Sequence, residues 1–507
     1  MSENPSAAET IRPADPCALV IFGGAGDLTR RKLVPALYDL RVKGHLPKQF
    51  AVIGIARREM THEAYREQLG EAMKQFVPGA VDDAVWREFA SSFYYLRGDF
   101  GDADLYRRLN TLLAEAAAAH QTGGNCLFYL ATPPAAFGTI VRQAGEAGLA
   151  GEGEDRWRRF IIEKPFGRDL ASALALNEEI TRILNETQIY RIDHYLGKET
   201  VQNILVLRFA NGILEPIWNR RYVDHVQLLV AESIGVEGRG AFYESAGTLR
   251  DMIQNHMFQL LSLVAMEPPI SFSASAVRNE KVKVLQAIPA MTPEEVLQRT
   301  VRGQYGPGFV DGARVAGYRA EPDVAPASRT ETYGALQLFV ENWRWAGVPF
   351  YLRAGKRLAR RRTQIVIQFR RAPLLLFDRM GMGQVEPNRL ILEIQPQEGI
   401  LMQFEAKVPG PGVRTNSIRL SFNYAELGQG SGATGYETLL YDCMTGDSTL
   451  FHRADMVEAA WRIADPILDV WGTLAPRDFP NYASGSWGPP AADGLIERDH
   501  RRWMQPD

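Results

Sequence analysis

What most limits the fold of this chain is a regular alternation of short apolar runs and helical patterns over its first two hundred residues. Residues 18–22 read ALVIF and stop at glycines. Apolar residues then recur at Leu28, Leu33, Leu37, Leu40 and Val42, close to the helical period. Residues 51–55 are a second apolar run, and amphipathic patterns fill much of 61–90. Strand-like runs follow at 93–96, 125–131 and 160–162. An alanine- and leucine-rich helix at 103–120 separates the first two, and another helix runs to about residue 147. Strands and helices in this alternation predict a parallel sheet with helices on both faces, an α/β domain.

The pattern changes after about residue 200. Runs at 226–231, 333–341, 350–352, 364–369, 390–394 and 400–404 are longer and closer together, with 249–266 as the main helix among them. Many strands with few helices predict an α+β domain with a large, mainly antiparallel sheet. Residues 303–332, rich in Gly, Pro and Ala, read as a long surface loop. Residues 434–470 return to helical spacing, and the tail from 471 reads as irregular structure. Residues 1–16 carry three prolines and no periodic pattern, the expectation for a loose leader. The expected division is a leader at 1–16, an α/β domain at 17–198 and an α+β domain at 199–507. A chain of 507 residues has room for two or three domains of about 150 residues.

Composition narrows the function classes. Fifty-seven Lys and Arg stand against 60 Asp and Glu, a net charge of −3. Binding by counterion release needs a broad basic surface, so no nucleic-acid partner is expected. A small basic pocket for a phosphate stays open. No stretch reaches the ~20 apolar residues of a membrane helix. The polar N-terminus lacks the cationic start and apolar run of a signal peptide, so no membrane partner is expected. Cys17, Cys126 and Cys443 are scattered and odd in number, which fits reduced thiols and a cytoplasmic location. The eight histidines show no HxxxH or HExxH spacing, so no metal site is expected.

The segment Phe22-Gly23-Gly24-Ala25-Gly26-Asp27-Leu28 closes the first strand and opens the first helix. In that context glycines let backbone N–H groups approach a pyrophosphate at a helix N-terminus. The GxGxxG fingerprint is incomplete, because Thr29 stands where a third glycine belongs when counted from Gly24. A tight turn without a ligand is the competing reading. A site that prefers NAD places a carboxylate about 20 residues on. Here the second strand runs into Arg57-Arg58. Two guanidiniums can hold a 2′-phosphate by charge-assisted hydrogen bonds, which points to NADP; two solvated arginines are the alternative. Gly98-Asp99-Phe100 follows the third strand and falls near the same crevice.

Glu163-Lys164-Pro165-Phe166-Gly167 ends a later strand. Proline pushes the residue before it towards extended geometry, so Lys164 is expected to project from the sheet's carboxyl edge. The run RIDHYLGKE, residues 191–199, then packs Asp193, His194, Tyr195, Lys198 and Glu199 into eight residues. A His, a Tyr and a Lys converging on one point suit a phosphate dianion, and Asp193 could instead orient a histidine.

RIDHYLGKE, with the GGAGDL turn and EKPFG, resembles the glucose-6-phosphate dehydrogenase family. The resemblance continues in order through VQNILVLRFAN, EPIWNR, EGRGAFYESAGTLRDMIQNHMFQLL, NEKVKVL, WAGVPFYLRAGK and EIQP, from about residue 18 to the C-terminus. It implies a Rossmann-like N-terminal domain that binds NADP. It also implies an α+β C-terminal domain that binds substrate and mediates assembly into a homodimer or homotetramer. The implied reaction, the first step of the oxidative pentose phosphate pathway, oxidises C1 of D-glucose 6-phosphate to the lactone with hydride transfer to NADP.

By the same resemblance His256, in QNH, is the general base, and an unperturbed pKa of about 6.5 suits it to neutral pH. Asp193 is its carboxylate partner, fixing the tautomer. His194, Tyr195 and Lys198 hold the substrate phosphate, Glu232 and Asp251 bond sugar hydroxyls, and Lys164 lies near the reacting carbon and the cofactor. Lys356, Arg361 and Gln395 complete the substrate shell, although the sequence does not choose among Arg360, Arg361 and Arg362. Cofactor contacts fall on Gly23, Gly26, Asp27, Leu28, Arg57, Asp99 and Lys164. The turn departs from the family, which more often places Ala and Ser between its glycines. A second, structural NADP, held by some members, is not carried over. Two other readings stand beside this one. A sugar oxidoreductase that shares the EKP turn would not need the His194/Tyr195/Lys198 cluster. A silent NADP-binding regulator would be expected to lose the base or its partner, and both Asp193 and His256 are present.

Overall fold

The computed structural model describes residues 11–77, 79, 81–374, 386–411, 414–427 and 434–505. Residues 1–10 of the expected leader lie outside them. Six strands make the first sheet: β1 (Cys17–Phe22), β2 (Phe50–Ala56), β3 (Phe93–Arg97), β4 (Cys126–Leu130), β5 (Arg158–Ile162) and β6 (Ile189–Arg191). They run in the order β3-β2-β1-β4-β5-β6, all parallel. The order reverses between β1 and β4, and open α/β sheets bind ligands beyond the carboxyl ends of the strands at such a point. Every residue of β1 and β4 is buried. Strands covered on both faces need continuous apolar runs, which is why ALVIF was legible as a strand. The three-residue β6 offers too little pattern to read.

The helix Tyr436–Thr445 also belongs to this unit. Its Leu439, Leu440, Cys443 and Met444 enter the same core as Leu33, Leu37 and Leu40. The unit therefore comprises Met1–Gly167, Ala171–Lys198 and Gly432–Ala454, whereas sequence alone offers only consecutive stretches. The three cysteines are buried free thiols in it, and burial pushes Cys126 up to about 12.

The second unit comprises Arg168–Leu170, Glu199–Ser431 and Asp455–Asp507. Its sheet begins with β7 (Val223–Ala231) and β8 (Thr300–Gly303). Residues 303–332, expected as a surface loop, instead carry the short strands β9 (Tyr305–Gly306), β10 (Gly308–Val310) and β11 (Ala313–Val315). Tyr305 and Tyr318 are fully buried there. The Tyr318 hydroxyl donates to Glu244 at 2.6 Å and that of Tyr305 to Glu321 at 3.0 Å. Tight turns around these satisfied tyrosines explain the glycines and prolines. The sheet continues with β12 (Tyr333–Phe339), β13 (Pro349–Gly355), β14 (Arg362–Phe369), β15 (Arg389–Gln395), β16 (Gly399–Lys407) and β17 (Thr415–Asn423). Its order is β17-β16-β15-β14-β7-β13-β12-β8, antiparallel throughout except for the β7–β13 pair.

Helices Ala274–Gln286 and Pro293–Arg299 also lie in this unit. The second starts at a capping box between Thr292 and Glu295. The tail is not wholly irregular: it holds β18 (Tyr482–Ala483), paired with β9, and the helix Ala491–Glu497. The main helix is a π-helical stretch, Leu249–Met257, running into the α-helix Phe258–Ala265. Residues 251–266 are all buried, so it is a core helix and not a one-sided amphipathic one. Among the described residues, no helix is long and apolar enough to cross a membrane.

Candidate active site

In the first unit, every predicted group lies just beyond the carboxyl end of a parallel strand. The turn after β1 is fixed from both sides. The N–H groups of Gly23 and Gly24 both donate to Ile55 O at 2.9 Å, at the end of β2. Thr29 Oγ1 donates to Gly23 O at 3.0 Å. Gly23 has a φ of +92°, and a Cβ there would stand 2.2 Å from Ala131 O, so the fold itself demands a glycine. Gly26 differs. It is exposed, and a Cβ on it would meet only Gly23 O, at 3.0 Å. Its missing side chain keeps the mouth of the turn open at a helix start, where first-turn N–H groups have no acceptor within the helix. This cradle fits a dinucleotide pyrophosphate. Asp27 is exposed and pairs with Arg31 at 3.5 Å, and Leu28 is half-buried beside it.

Arg57 and Arg58 leave the end of β2, the strand next to the glycine turn, and both are exposed. Neither forms an ion pair among the described residues, so these guanidiniums fit a 2′-phosphate. Asp99, past β3, accepts from Gly101 N at 3.0 Å, and so shapes its own turn. Lys164 is half-buried past β5. The preceding Glu163 accepts from the Tyr129 hydroxyl at 2.6 Å and from that of Tyr436 at 3.4 Å. Burial raises the Glu163 pKa, and the two tyrosine hydrogen bonds and Lys164 work against that rise.

Beyond β6 the chain turns tightly. Buried Asp193 accepts from Tyr195 N at 2.9 Å through Oδ1, and its Oδ2 lies 3.7 Å from His452 Nε2. Lys198 N donates to Tyr195 O at 3.2 Å, and its Nζ sits 3.8 Å from the Tyr195 ring centroid. The His194 and Tyr195 rings are 5.1 Å apart. One short turn thus gathers an imidazole, a phenol and an ammonium, as a phosphate dianion requires.

In the second unit, four predicted residues leave one edge of the large sheet. Ala231 pairs with both Gly355 and Arg362, and Thr363 with Gln395. Glu232, Lys356, Arg361 and Gln395 follow from those ends. Lys356 donates to the Glu232 carboxylate. Lys356 Nζ also lies 5.1 Å from the Tyr243 ring. The Tyr243 hydroxyl is held well above its usual range by burial first, then by the charges of Asp251, Glu232 and Glu331. Arg361 is exposed and donates to Gln395 at 3.3 Å. Arg362 is paired with Glu393 at 3.2 Å and bonds Gln397 at 2.6 Å. His256 is buried, 1% exposed, on the π-helical stretch. Sequence reading gave no part to Tyr129, Tyr436, His452 or Tyr243. Glu163 was in view inside EKPFG, but nothing in the string marks its two tyrosine partners.

The strand order, the glycine cradle and the arginines past β2 define a dinucleotide-binding α/β protein joined to a second unit with a large mixed sheet. Residues 20–203 match the family described as "Glucose-6-phosphate dehydrogenase, NAD binding domain", and residues 205–504 match its "C-terminal domain". The chain belongs to the glucose-6-phosphate dehydrogenase family. Its relatives include the glucose-6-phosphate 1-dehydrogenase of Chlamydia pneumoniae, 48% identical over 497 residues, covering 97% of this chain and 96% of the relative. That of Aggregatibacter actinomycetemcomitans is 47% identical over 494 residues, covering 97% and 98%. A solved glucose-6-phosphate dehydrogenase in complex with its substrate glucose-6-phosphate superposes with a TM-score of 0.86 at 35% identity, covering 98% of this chain and 99% of the other. The Mycobacterium avium glucose-6-phosphate 1-dehydrogenase gives 0.81 at 37%, covering 97% and 99%.

Proposed function

We propose that the chain oxidises D-glucose 6-phosphate at C1 to the 6-phosphogluconolactone, with NADP as hydride acceptor. The observation that carries this reading is the His194–Lys198 turn at the carboxyl edge of a dinucleotide-type sheet, in a member of this family. Residues 17–198 hold the cofactor and the substrate phosphate, and 199–507 hold the rest of the sugar and the assembly surface. NADP, when bound, supplies the hydride acceptor. Gly23, Gly26, Asp27 and Leu28 cradle its pyrophosphate, Arg57 takes the 2′-phosphate, and Asp99 and Lys164 border it.

His194, Tyr195 and Lys198 hold the substrate phosphate. Glu232 and Asp251 accept from sugar hydroxyls, while Lys356, Arg361 and Gln395 donate around them. His256 takes the C1 hydroxyl proton on a ring nitrogen, and Asp193 orients it and stabilises the imidazolium. The C1 hydrogen then leaves with its electron pair. Edge strand β17 exposes Ile418 and Leu420, which supports assembly as a homodimer or homotetramer. Three unbridged buried cysteines support a cytoplasmic setting.

The test is product analysis. Incubation with glucose 6-phosphate and NADP should yield 6-phosphogluconate, after lactone hydrolysis, in an amount equal to the reduced cofactor formed. Reduced cofactor without that product would overturn the reading.

A further inference from the structure

We infer that Tyr436 is a positioning residue for the phosphate-binding turn: its ring seats His194. The inference rests on the reading of His194–Lys198 as the phosphate site. The Tyr436 ring lies parallel to the His194 ring, within 2°, with centroids 6.0 Å apart. Tyr436 is 7% exposed, so the imidazole backs onto a ring fixed in the core. The Tyr436 hydroxyl reaches Glu163 Oε1 at 3.4 Å, and Tyr129 donates to the same oxygen at 2.6 Å. Glu163 precedes Lys164. One side chain therefore touches both the phosphate turn and the segment that presents the lysine.

The backbone makes the same connection. Gly435 has a φ of +88°, and a Cβ there would stand 2.5 Å from His194 O. A Cβ on Gly197 would stand 2.0 Å from Gly435 O. The segment before the helix Tyr436–Thr445 thus lies directly on the turn, an approach only two glycines permit. Thr434 fixes that segment by donating to the Glu437 carboxylate, 2.9 Å from N and 3.1 Å from Oγ1. Recognition of a phosphate needs its donors held within about 0.5 Å, and a half-exposed histidine on a turn needs such a support to stay in place. A ring that merely filled the core would affect every substrate alike. A ring that seats His194 affects the phosphorylated sugar selectively.

The experiment compares Tyr436→Phe, Tyr436→Leu and His194→Ala with the parent enzyme. For each, kcat/KM is measured with glucose 6-phosphate and with unphosphorylated glucose, together with the KM for NADP. Tyr436→Leu should raise the KM for glucose 6-phosphate about fivefold or more, while kcat/KM for glucose and the KM for NADP stay within about twofold. Tyr436→Phe, which keeps the ring, should recover most of that loss. In a His194→Ala background, Tyr436→Leu should add little, because the group it seats is gone. Equal losses on both sugars, or none, would overturn the inference. If His194→Ala itself leaves the preference for the phosphate ester unchanged, the phosphate-site reading fails instead. Should the leucine variant not fold, Tyr436→Met, of similar volume and without a ring, takes its place in every comparison.

Discussion

Asp251 and His256 stand five residues apart on a stretch of helix, Leu249–Met257, that is wound as a π-helix. In an α-helix of 3.6 residues per turn, residues five apart would point ~140° away from each other. Hydrogen bonding from i to i+5 instead brings such residues towards one face. Both side chains are buried. The winding thus gives a single face of a core helix a carboxylate and an imidazole, the pair that the proposed chemistry assigns to the sugar and its proton. Replacing His256 by Asn keeps the size and a hydrogen-bonding group but removes the base. We expect kcat to fall by ~10²–10⁴ with the sugar KM within a few-fold, measured by steady-state kinetics. A near-normal kcat would take His256 out of the role.

Lys198 is held over the Tyr195 ring at 3.8 Å, with its charge aimed from the turn beyond β6. Lys198→Ala should raise the KM for glucose 6-phosphate about tenfold or more, the scale of losing a hydrogen bond to a charged group. The KM for NADP should not move. An unchanged sugar KM would remove Lys198 from the phosphate site.

Arg57 is exposed one strand over from the glycine turn, without an ion-pair partner among the described residues. Arg57→Asp replaces a ligand for a 2′-phosphate with a carboxylate that repels it and accepts from a ribose hydroxyl. The ratio of kcat/KM for NADP to that for NAD should fall by at least about tenfold. A ratio that stays put would locate the 2′-phosphate elsewhere.

Asp224 offers a test by pH. Burial works against its charged form, but hydrogen bonds from His225 and Arg501 outweigh it and hold the carboxyl well below its usual range. Arg501 Nε and His225 Nδ1 both lie 2.7 Å from Oδ1. A carboxyl with a depressed folded pKa stabilises the fold above its unfolded pKa of about 3.9, and that contribution fades as pH falls towards the folded value. Urea midpoints of the parent and of Asp224→Asn should therefore differ at pH 7 and converge below about pH 4. A constant difference down to pH 3 would mean that the carboxylate's charge contributes nothing.

The sequence was most legible where one physical cause dominated. Strands buried on both faces must be apolar throughout, so β1, β2 and β4 declared themselves, and with them the glycine turn and the carboxyl edge. RIDHYLGKE was legible because its chemistry is local. Relationships that depend on distant segments were not. Nothing around Tyr436 shows that it backs His194, because the two meet only in the folded chain, where Gly435 packs on Gly197. The π-helical winding at Leu249–Met257 was equally hidden, since nothing in the mixed polar and apolar run LRDMIQNHM distinguishes i to i+5 hydrogen bonding from i to i+4. Tyr305 and Tyr318 were lost inside a glycine- and proline-rich stretch whose turns serve the core.

A phosphate-specific, NADP-dependent oxidation of a sugar is read out by initial rates of cofactor reduction in four mixtures, glucose 6-phosphate or glucose with NADP or NAD. Turnover is expected chiefly with glucose 6-phosphate and NADP. Equal rates with free glucose, or no rate in any mixture from folded protein that binds NADP, would contradict it.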